Sequence, residues 1–258
     1  MKIGILYICT GKYTVFWDGF YVSAEKYLLP DYEKHYFVFT DGEINCYDNP
    51  LVHTLYQEKL GWPFDTLYRF HIFLKAEQLL KEMDYLYFFN SNLIFKQIVG
   101  KEILPDKKQE VVVTLHPGFY NKKRVKFTYE ENKKSTAYIS AKEGKYYIAG
   151  GLNGGSVDVF LDMAKTLKDN IDADYRNGIV ARWHDESHIN HYIIDKDIKI
   201  LSPAYLYPEG KILPFEARIL ILDKNLFGGH DFLRQCSNQT EISIKSKRSW
   251  FNRLFRIK

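Results

Sequence analysis

The sequence of 258 residues has few cysteines and no long apolar run. Cys9, Cys46 and Cys236 show no C-x-x-C spacing, which argues against a disulfide framework or a zinc site and favours a reducing cytoplasm. No apolar stretch approaches the roughly 20 residues that span a bilayer. The N-terminus lacks a long apolar region and a small-residue cleavage site, so we interpret residues 2–8 as a strand rather than a signal peptide.

Several sequence motifs and a broad basic surface are also missing. No G-x-G-x-x-G follows the first apolar run and no G-x-x-x-x-G-K-[ST] occurs, which excludes the common dinucleotide and P-loop sites. The net charge is +4, but the last fourteen residues carry +6, so the other residues together carry −2. A nucleic-acid-binding face is therefore not expected for the body of the protein.

Aromatic residues are abundant at 16%, as in many carbohydrate-binding proteins and in tyrosine-rich cores. Strand-like and helix-like patterns alternate over the first hundred residues. Strands are predicted at 2–8, 36–39, 51–55 and 85–89, and helices at 16–29 and 67–83. This alternation predicts an α/β fold with a mainly parallel central sheet flanked by helices, and such sheets bind ligands beyond the carboxyl ends of their strands.

The second half is less regular. It predicts a strand at 111–115, a polar connection at 121–145, and helices at 157–167 and 186–194. The glycine-dense segment 149–155 either lets the backbone approach a ligand closely or forms an ordinary turn. We find no internal repeat and no clear linker, so residues 1–235 are expected to form one domain. Residues 236–258 are treated as a separate basic tail.

Two polar clusters are candidates for chemistry. Asn90-Ser91-Asn92 directly follows the predicted strand 85–89, although such amides also occur in ordinary polar turns. The segment from Trp183 to His188 holds a Trp, two His and two adjacent acids. Because adjacent residues of a helix point in different directions, one acid would meet a substrate while the other organises the site. A metal site built on His184, Glu186 and His188 has an awkward spacing for a helix.

Five ordered blocks carry a resemblance to a known family. They are MDYLYFFNSNLIF at 83–95, TLHPGFY at 114–120, YIAGGLNGGSV at 147–157, WHDESHIN at 183–190 and LSPAYLY at 201–207. Together they resemble glycosyltransferase family six, which includes the blood-group A and B transferases. The resemblance covers roughly residues 3–230. It implies a GT-A fold and a retaining transferase that moves galactose or N-acetylgalactosamine from a UDP-sugar to O3 of a galactoside.

The resemblance also shows one departure. The mammalian members bind manganese through a DXD motif, whereas this sequence has Asn90-Ser91-Asn92 and looks like the bacterial branch, which works without metal. We therefore expect no metal and no cofactor. Protein cations would then stabilise the departing UDP, and we expect Lys224 and Arg69 in this role. For Arg218 and Arg234 the sequence favours a solvated surface charge.

By the same resemblance, roles are carried over to individual residues. The expected donor-site residues are Ile8, Thr10, Tyr13, Arg69, Asn90, Asn92, Ala149, Gly150, Gly151 and Asp185. Glu186 is expected to be the catalytic carboxylate, as nucleophile or as stabiliser of an oxocarbenium-like state, and to lie beside the acceptor. His116 and Trp183 are expected to contact the acceptor galactose. Gly151 leaves room for an N-acetyl group, which favours UDP-GalNAc and, by family analogy, a Fucα1,2Gal acceptor.

Three alternatives stay open at this point. The protein could use UDP-Gal as an α1,3-galactosyltransferase, or it could be an inactive carbohydrate-binding relative, although an intact WHDESHIN block argues against a pure binder. A third reading is an adaptor that binds a membrane or nucleic acid through its basic tail. That tail, 243–258, is either a basic amphipathic helix on an anionic membrane or a solvated segment. With no stem or anchor before the domain, we expect a bacterial cytoplasmic enzyme, with peripheral contact to the inner membrane if the tail is amphipathic.

Overall fold

The computed structural model describes residues 1–106, 109 and 111–235, which contain ten strands in two sheets. The strands are β1 (Lys2–Ile8), β2 (Glu33–Thr40), β3 (Val52–Tyr56), β4 (Tyr85–Phe89), β5 (Leu93–Phe95), β6 (Val111–Leu115), β7 (Ile148–Ser156), β8 (Ile198–Leu201), β9 (Tyr207–Pro208) and β10 (Ile219–Ile221). Seven of them form the central sheet in the order β3-β2-β1-β4-β7-β6-β8, and β5-β10-β9 form the second sheet.

The central sheet is mainly parallel, as the alternating pattern predicts. Strand β1 pairs in parallel with β2 and β4, β2 with β3, and β6 with β8, whereas β7 runs antiparallel to both of its neighbours. Leu6 of β1 lies opposite Phe88 of β4, so the chain leaves both strands at the same edge of the sheet. The segments that follow β1 and β4 therefore meet at that edge.

Helices cover both faces of this sheet. They are α1 (Trp17–Tyr27), α2 (Phe64–Leu67), α3 (Arg69–Leu74), α4 (Glu77–Leu80), α5 (Val157–Arg176), α6 (Asp185–Tyr192) and α7 (Gly229–Leu233). One buried cluster joins α1 to the sheet through Trp17, Phe20 and Tyr36. A second cluster joins α3 and α5 to the other face through Phe73, Phe88 and Phe160. No helix in the described part of the chain has the length and apolarity to cross a bilayer.

Two predicted elements differ in the structure. The single helix predicted at 67–83 is divided into α2, α3 and α4, with non-helical backbone at Tyr68 (φ −94°, ψ 21°) and Ala76 (φ −105°, ψ 14°). The run between the two breaks is aromatic and β-branched, residue types of low helix propensity, so tertiary packing decides its path. Its apolar side chains Phe70, Phe73 and Leu80 are nevertheless buried, as the periodicity indicates.

The ordinary turn that the sequence allows as one reading of the glycine-dense segment 149–155 is absent, because these residues form the interior of β7. A Cβ atom on Gly154 would lie 2.3 Å from Cδ1 of the buried Tyr87 on β4. Glycine is thus required here by the close approach of the neighbouring strand's ring. The helices predicted at 157–167 and 186–194 are present as α5, which extends to Arg176, and α6. The basic tail, 236–258, lies outside the described residues.

Candidate active site

A cleft of ≈ 280 Å³ opens beyond the carboxyl ends of β1 and β4. Ile8 lines it from the end of β1, Thr10 and Tyr13 from the segment after β1, and Asn90 from the segment after β4. These four residues are among those expected at a donor site, and the parallel register of β1 and β4 brings them together. The opposite wall comes from the start of α3 and from the C-terminal part of the chain.

Arg69 at the start of α3 connects the cleft to α6 and β7. Its Nη1 atom donates to Oδ2 of Asp185 at 2.5 Å and to the carbonyl oxygen of Gly150 at 2.9 Å. Its guanidinium lies over the ring of Phe88, 4.2 Å from the centroid. Both Arg69 and Asp185 are buried. Burial raises the pKa of Asp185 to about 6, while the Arg69 charge acts in the opposite direction and favours the carboxylate.

Glu186 occupies the first turn of α6 beside the backbone of β7. Its Oε2 accepts a hydrogen bond from the amide of Gly150 at 2.8 Å. Burial raises the pKa of Glu186 to about 7, Asp185 adds to the rise, and the Gly150 amide and the Tyr147 hydroxyl oppose it. The two adjacent acids therefore have separate partners, Arg69 for Asp185 and the Gly150 amide for Glu186.

Asn90 and Asn92 differ in their exposure to the cleft. Asn90 lines it, and the Asn90 amide donates to the carbonyl of Gly151 at 2.9 Å. Asn92 is buried, where its Nδ2 donates to the carbonyl of Leu222 at 2.8 Å. Nδ2 of Asn90 donates to Oδ1 of Asn92 at 3.1 Å. The buried Asn92 side chain therefore fixes the orientation of the Asn90 side chain in the cleft.

Three cations converge on the cleft from distant parts of the sequence. Lys224, Arg234 and Arg69 all line it, together with His230. Burial, together with the nearby charges of Arg234 and Arg69, lowers the pKa of Lys224 to about 8. Within the described residues, neither Lys224 nor Arg234 forms a salt bridge with a carboxylate. Lys224 lies over the ring of Tyr13 at 5.1 Å and Arg234 over Trp62 at 4.0 Å.

The placement of Arg234 differs from the surface charge that the sequence favours. Arg234 stacks on Trp62 at the mouth of the cleft, a contact between residues far apart in the chain that no local pattern indicates. Arg218 lies elsewhere, where its Nη1 donates to the carbonyl of Ile98 at 2.8 Å.

The residues expected at the acceptor lie around the polar connection between β6 and β7. Trp183 is 46% exposed, and its Nε1 donates to Oγ1 of Thr128 at 2.9 Å. Nδ1 of His116 accepts a hydrogen bond from the amide of Gly118 at 3.0 Å. Burial lowers the pKa of His116 to about 4, so its ring is neutral at physiological pH and Nε2 carries the proton.

The alternative metal site on α6 is not assembled. His188 is buried with Asp174 at 3.9 Å, and burial lowers the pKa of His188 to about 4. The ring of His184 instead meets Trp62 edge-on at 4.7 Å. Within residues 1–106, 109 and 111–235, no group of three or more His, Cys, Asp or Glu side chains is arranged to hold a metal ion.

Comparison with known proteins places the chain in a family. The profile of glycosyltransferase family 6 matches residues 1–225. The chain belongs to glycosyltransferase family 6. The O-antigen biosynthesis glycosyltransferase WbnI of Escherichia coli is 35% identical over 227 residues, which cover 87% of this chain and 95% of WbnI.

Two animal relatives are similarly close. Globoside alpha-1,3-N-acetylgalactosaminyltransferase 1 of Homo sapiens is 33% identical over 238 residues, covering 88% of this chain and 67% of the relative. Histo-blood group ABO system transferase 1 of Rattus norvegicus is 35% identical over 216 residues, covering 80% of this chain and 61% of the relative. The family 6 membership confirms the resemblance and, with the mixed central sheet, the GT-A-like α/β fold.

Family 6 membership makes the protein a hexosyltransferase with a UDP-sugar donor and a glycan acceptor. Residues beyond those expected from the sequence also belong to the site. Trp62 and Phe88 support Arg234 and Arg69, and Thr128 joins Trp183 to the Tyr147 hydroxyl through two hydrogen bonds. Tyr147 stands two residues before the glycine-dense segment, but its hydrogen-bond partner Thr128 lies in the connection between β6 and β7, so only the fold identifies it.

Proposed function

We propose that this family 6 protein is a retaining transferase that moves GalNAc from UDP-GalNAc to O3 of a galactose carrying an α1,2-linked fucose, without a metal ion. The observation that carries the proposal is the pairing of two features at one sheet edge. A cleft lined by Arg69, Lys224 and Arg234 adjoins, through Arg69 and Gly150, the Glu186 carboxylate. The cations would bind the diphosphate, and the carboxylate would act at the anomeric carbon.

The residues at the position of the family's metal-binding motif do not fit manganese. Hard divalent cations prefer several charged oxygen ligands, and carboxylates supply both charge and geometry. Asn90 and Asn92 supply no charged oxygen ligand. The Asn90 side-chain amide donates a hydrogen bond to Asn92, and the Asn92 amide donates one to the Leu222 carbonyl. We therefore derive no part of the reaction from a metal ion.

Positive charge on the protein takes over the stabilisation of departing UDP in this proposal. Developing negative charge is stabilised most by fixed charges and dipoles in a partly desolvated site. Lys224 and Arg69 lie in the cleft, and Arg234 joins them on Trp62. Arg69 is neutralised in part by Asp185 at 2.5 Å, so Lys224 and Arg234 contribute most of the uncompensated charge.

Glu186 would stabilise positive charge at the anomeric carbon, either by forming a covalent bond or by electrostatic interaction beneath the ring. Both routes require the ionised carboxylate. Its hydrogen bond to the Gly150 amide directs one oxygen and favours the charged form. Asp185, held by Arg69, would bind hydroxyls of the donor sugar.

The choice of donor sugar is argued from Gly151. A Cβ atom built on Gly151 would lie 3.5 Å from Leu206 and 3.7 Å from Asn90, so a methyl group would fit but would take up space beside Asn90. The space left by glycine supports acceptance of an N-acetyl group, and hence UDP-GalNAc over UDP-Gal. A pocket for the larger sugar still admits the smaller one, so UDP-Gal is the second candidate donor.

The acceptor is proposed from the exposed indole of Trp183 and the neutral imidazole of His116. An aromatic face suits the apolar side of galactose, and Nε2–H of His116 can donate to a hydroxyl. A fucosylated acceptor rests on the resemblance to the blood-group enzymes. A cytoplasmic location remains part of the proposal, supported by the free thiols of Cys9 and Cys46.

The decisive experiment measures GalNAc transfer from UDP-GalNAc to a Fucα1,2Gal acceptor in excess EDTA and again with added Mn²⁺. We expect equal rates, and an α-linked product by proton NMR. Activity only with Mn²⁺ would refute metal independence, and a β-linked product would refute retention. No transfer in either condition, with sugar binding intact, would favour the inactive carbohydrate-binding relative.

A further inference from the structure

The connection between β6 and β7 carries an excess of positive charge. Residues 121–145 contain eight Lys and Arg and three Glu, a net charge of +5. Because the last fourteen residues carry +6 and the whole chain +4, all other residues together carry −7. This basic connection adjoins a residue proposed to contact the acceptor, since Oγ1 of Thr128 accepts a hydrogen bond from Nε1 of Trp183 at 2.9 Å.

The most exposed part of the connection is a short turn at residues 124–126. The side chain of Arg124 is directed back onto the connection and not into solvent. Its Nε donates to the carbonyl of Glu143 at 2.6 Å, and its Nη2 donates to the carbonyl of Ser140 at 2.8 Å. These two hydrogen bonds bring Lys142, which lies between the two carbonyls in sequence, close to the turn.

An aromatic cluster fixes the base of this turn. The ring of Phe127 meets those of Phe119, Tyr129 and Tyr147 at centroid distances of 6.2, 5.6 and 5.6 Å. Val125 lies outside this cluster and is 81% exposed. Since the base is held by packed rings, the apolar side chain of Val125 stays in water unless another surface covers it.

Exposed lysines accompany this valine. They are Lys122, Lys123, Lys126 and Lys142. Within the described part of the chain, none of the four forms a salt bridge with a carboxylate. Glu130 of the same connection is buried, where its carboxylate accepts hydrogen bonds from two backbone amides. The turn therefore combines positive charge that no carboxylate neutralises with an exposed apolar side chain.

This combination fits an anionic lipid surface better than it fits nucleic acid. Lysine is a compact, hydrated point charge that is attracted to anionic head groups, and an apolar side chain beside it can enter the interface. Single-stranded nucleic acid is held by stacking of its bases on aromatic rings and by arginine. Here the aromatic rings form the base of the turn, and Arg124 binds carbonyls of its own connection.

We infer that a basic turn, residues 122–126 together with Lys142, docks on an anionic lipid bilayer and presents Trp183 to acceptor glycans carried by lipids of that bilayer. The part that concerns the acceptor rests on the proposed function. Thr128, which binds the Trp183 indole, lies two residues beyond the basic turn. Docking would therefore raise the effective concentration of a lipid-carried acceptor at the indole.

The test compares two triple variants of the full chain that lose the same charge. The basic-turn variant combines Lys122→Gln, Lys123→Gln and Lys126→Gln. The control variant alters three lysines of α4 and α5 that pair with Glu77 or Asp172, by Lys81→Gln, Lys165→Gln and Lys168→Gln. Both variants keep the tail. Binding is measured by co-sedimentation with vesicles of phosphatidylglycerol and phosphatidylcholine in equal parts, and with vesicles of phosphatidylcholine alone.

We expect the basic-turn variant to bind the anionic vesicles about tenfold to a hundredfold more weakly than the unaltered protein. The control should stay within about twofold, because its lysines are already paired with carboxylates. Equal affinity of the two variants, or equally strong binding of the unaltered protein to phosphatidylcholine alone, would overturn the inference. Binding to a single-stranded oligonucleotide that depends on the basic turn, with no binding to vesicles, would overturn it in favour of nucleic acid.

Transfer rates separate a failure of this inference from a failure of the proposed function. With a Fucα1,2Gal glycolipid in anionic vesicles, the basic-turn variant should have a higher KM for the acceptor and an unchanged kcat. With free Fucα1,2Gal, its kcat and KM should equal those of the unaltered protein. An unchanged KM on vesicles would overturn the presentation of acceptors by the docked turn. Vesicle binding that depends on the basic turn, in a protein that shows no transfer, would place the failure in the proposed function.

Discussion

Glu186 illustrates how one side chain is placed between opposing effects. Burial raises the pKa of its carboxyl to about 7, and the Gly150 amide and Tyr147 hydroxyl favour the ionised form. The sequence identifies this residue, because Trp183 to His188 is an unusually dense cluster of polar side chains. Tyr147 is not visible in that way, since a tyrosine before a glycine-dense segment is an ordinary strand residue until the fold brings Glu186 to it.

Replacing Glu186 with Gln should abolish nearly all transfer while keeping nucleotide binding. The amide keeps the size of the carboxyl group and still offers an oxygen to the Gly150 amide, but it carries no negative charge for the anomeric carbon. We expect kcat to fall about a thousandfold or more. UDP binding, measured by calorimetry, should stay within about twofold because Glu186 lies outside the cation-lined part of the cleft.

A matched control for that change is Asp169→Asn, which alters a carboxyl in the same way on the exposed face of α5. The Asp169 side chain is 76% exposed and approaches only Lys168, at 3.4 Å. Both transfer and UDP binding should be unaffected by the control. Transfer at the unaltered rate in Glu186→Gln would remove Glu186 from the chemistry.

At the scale of elements, the apolar pattern of the sequence predicts the central strands. The conformations of β7 and α3 depend on tertiary contacts with other elements, which the pattern does not show. The apolar runs predict β1, β4 and β6 to the residue, because a strand covered on both faces needs a continuous apolar stretch. The glycine-dense segment leaves its conformation open, since the close approach of the Tyr87 ring to Gly154 involves a residue of another strand. The interruptions at Tyr68 and Ala76 likewise have no marker residue such as proline.

Asn190 is one of the side chains that join α6 to β7, and its removal tests the arrangement of the two elements. Oδ1 of Asn190 accepts from the amide of Ile148, and Nδ2 donates to the carbonyls of Ile148 and Glu186, each at 2.9 Å. Asn190→Ala leaves buried backbone groups of Ile148 without partners. We expect the free energy of unfolding to fall by about 2–4 kcal/mol and kcat to fall as well, measured by urea denaturation and by the transfer assay.

The control is Asn177→Ala at the C-terminal end of α5. Nδ2 of Asn177 makes a single exposed hydrogen bond to the carbonyl of Ala173, at 2.9 Å. Its loss should cost less than about 0.5 kcal/mol. Equal destabilisation by the two variants would show that Asn190 does not join α6 to β7 in the way described.

At the scale of the whole molecule, the fold gathers positive charge in the cleft, although the net charge of the chain outside its tail is negative. The chain outside its last fourteen residues has a net charge of −2, yet Arg69, Lys224 and Arg234 meet in one cleft. The departure from DXD predicts that cations are required, but it cannot tell which of them reach the cleft. The sequence favours a surface charge for both Arg218 and Arg234, but in the structure Arg234 lines the cleft on Trp62, whereas Arg218 donates to the Ile98 carbonyl.

Lys224 provides the test of this concentrated charge. Lys224→Ala removes a partly buried cation aimed at the departing diphosphate, so we expect kcat to fall about a hundredfold to a thousandfold. Because the pKa of Lys224 is lowered to about 8, the amine loses its charge as the pH rises through that value. The unaltered protein should therefore lose activity above about pH 8, as a pH series of transfer rates would show.

Lys224→Arg separates charge from a merely structural role. The guanidinium stays protonated throughout this range, so the variant should retain much of its activity and should lack the alkaline limb, as should Lys224→Ala at its low residual rate. Lys81→Ala, which removes a surface cation paired with Glu77 at 2.9 Å, should keep both the rate and the limb. If Lys224→Ala transfers GalNAc at the rate of Lys81→Ala, the charge that stabilises UDP comes from Arg69 and Arg234, and their combined replacement should then abolish transfer.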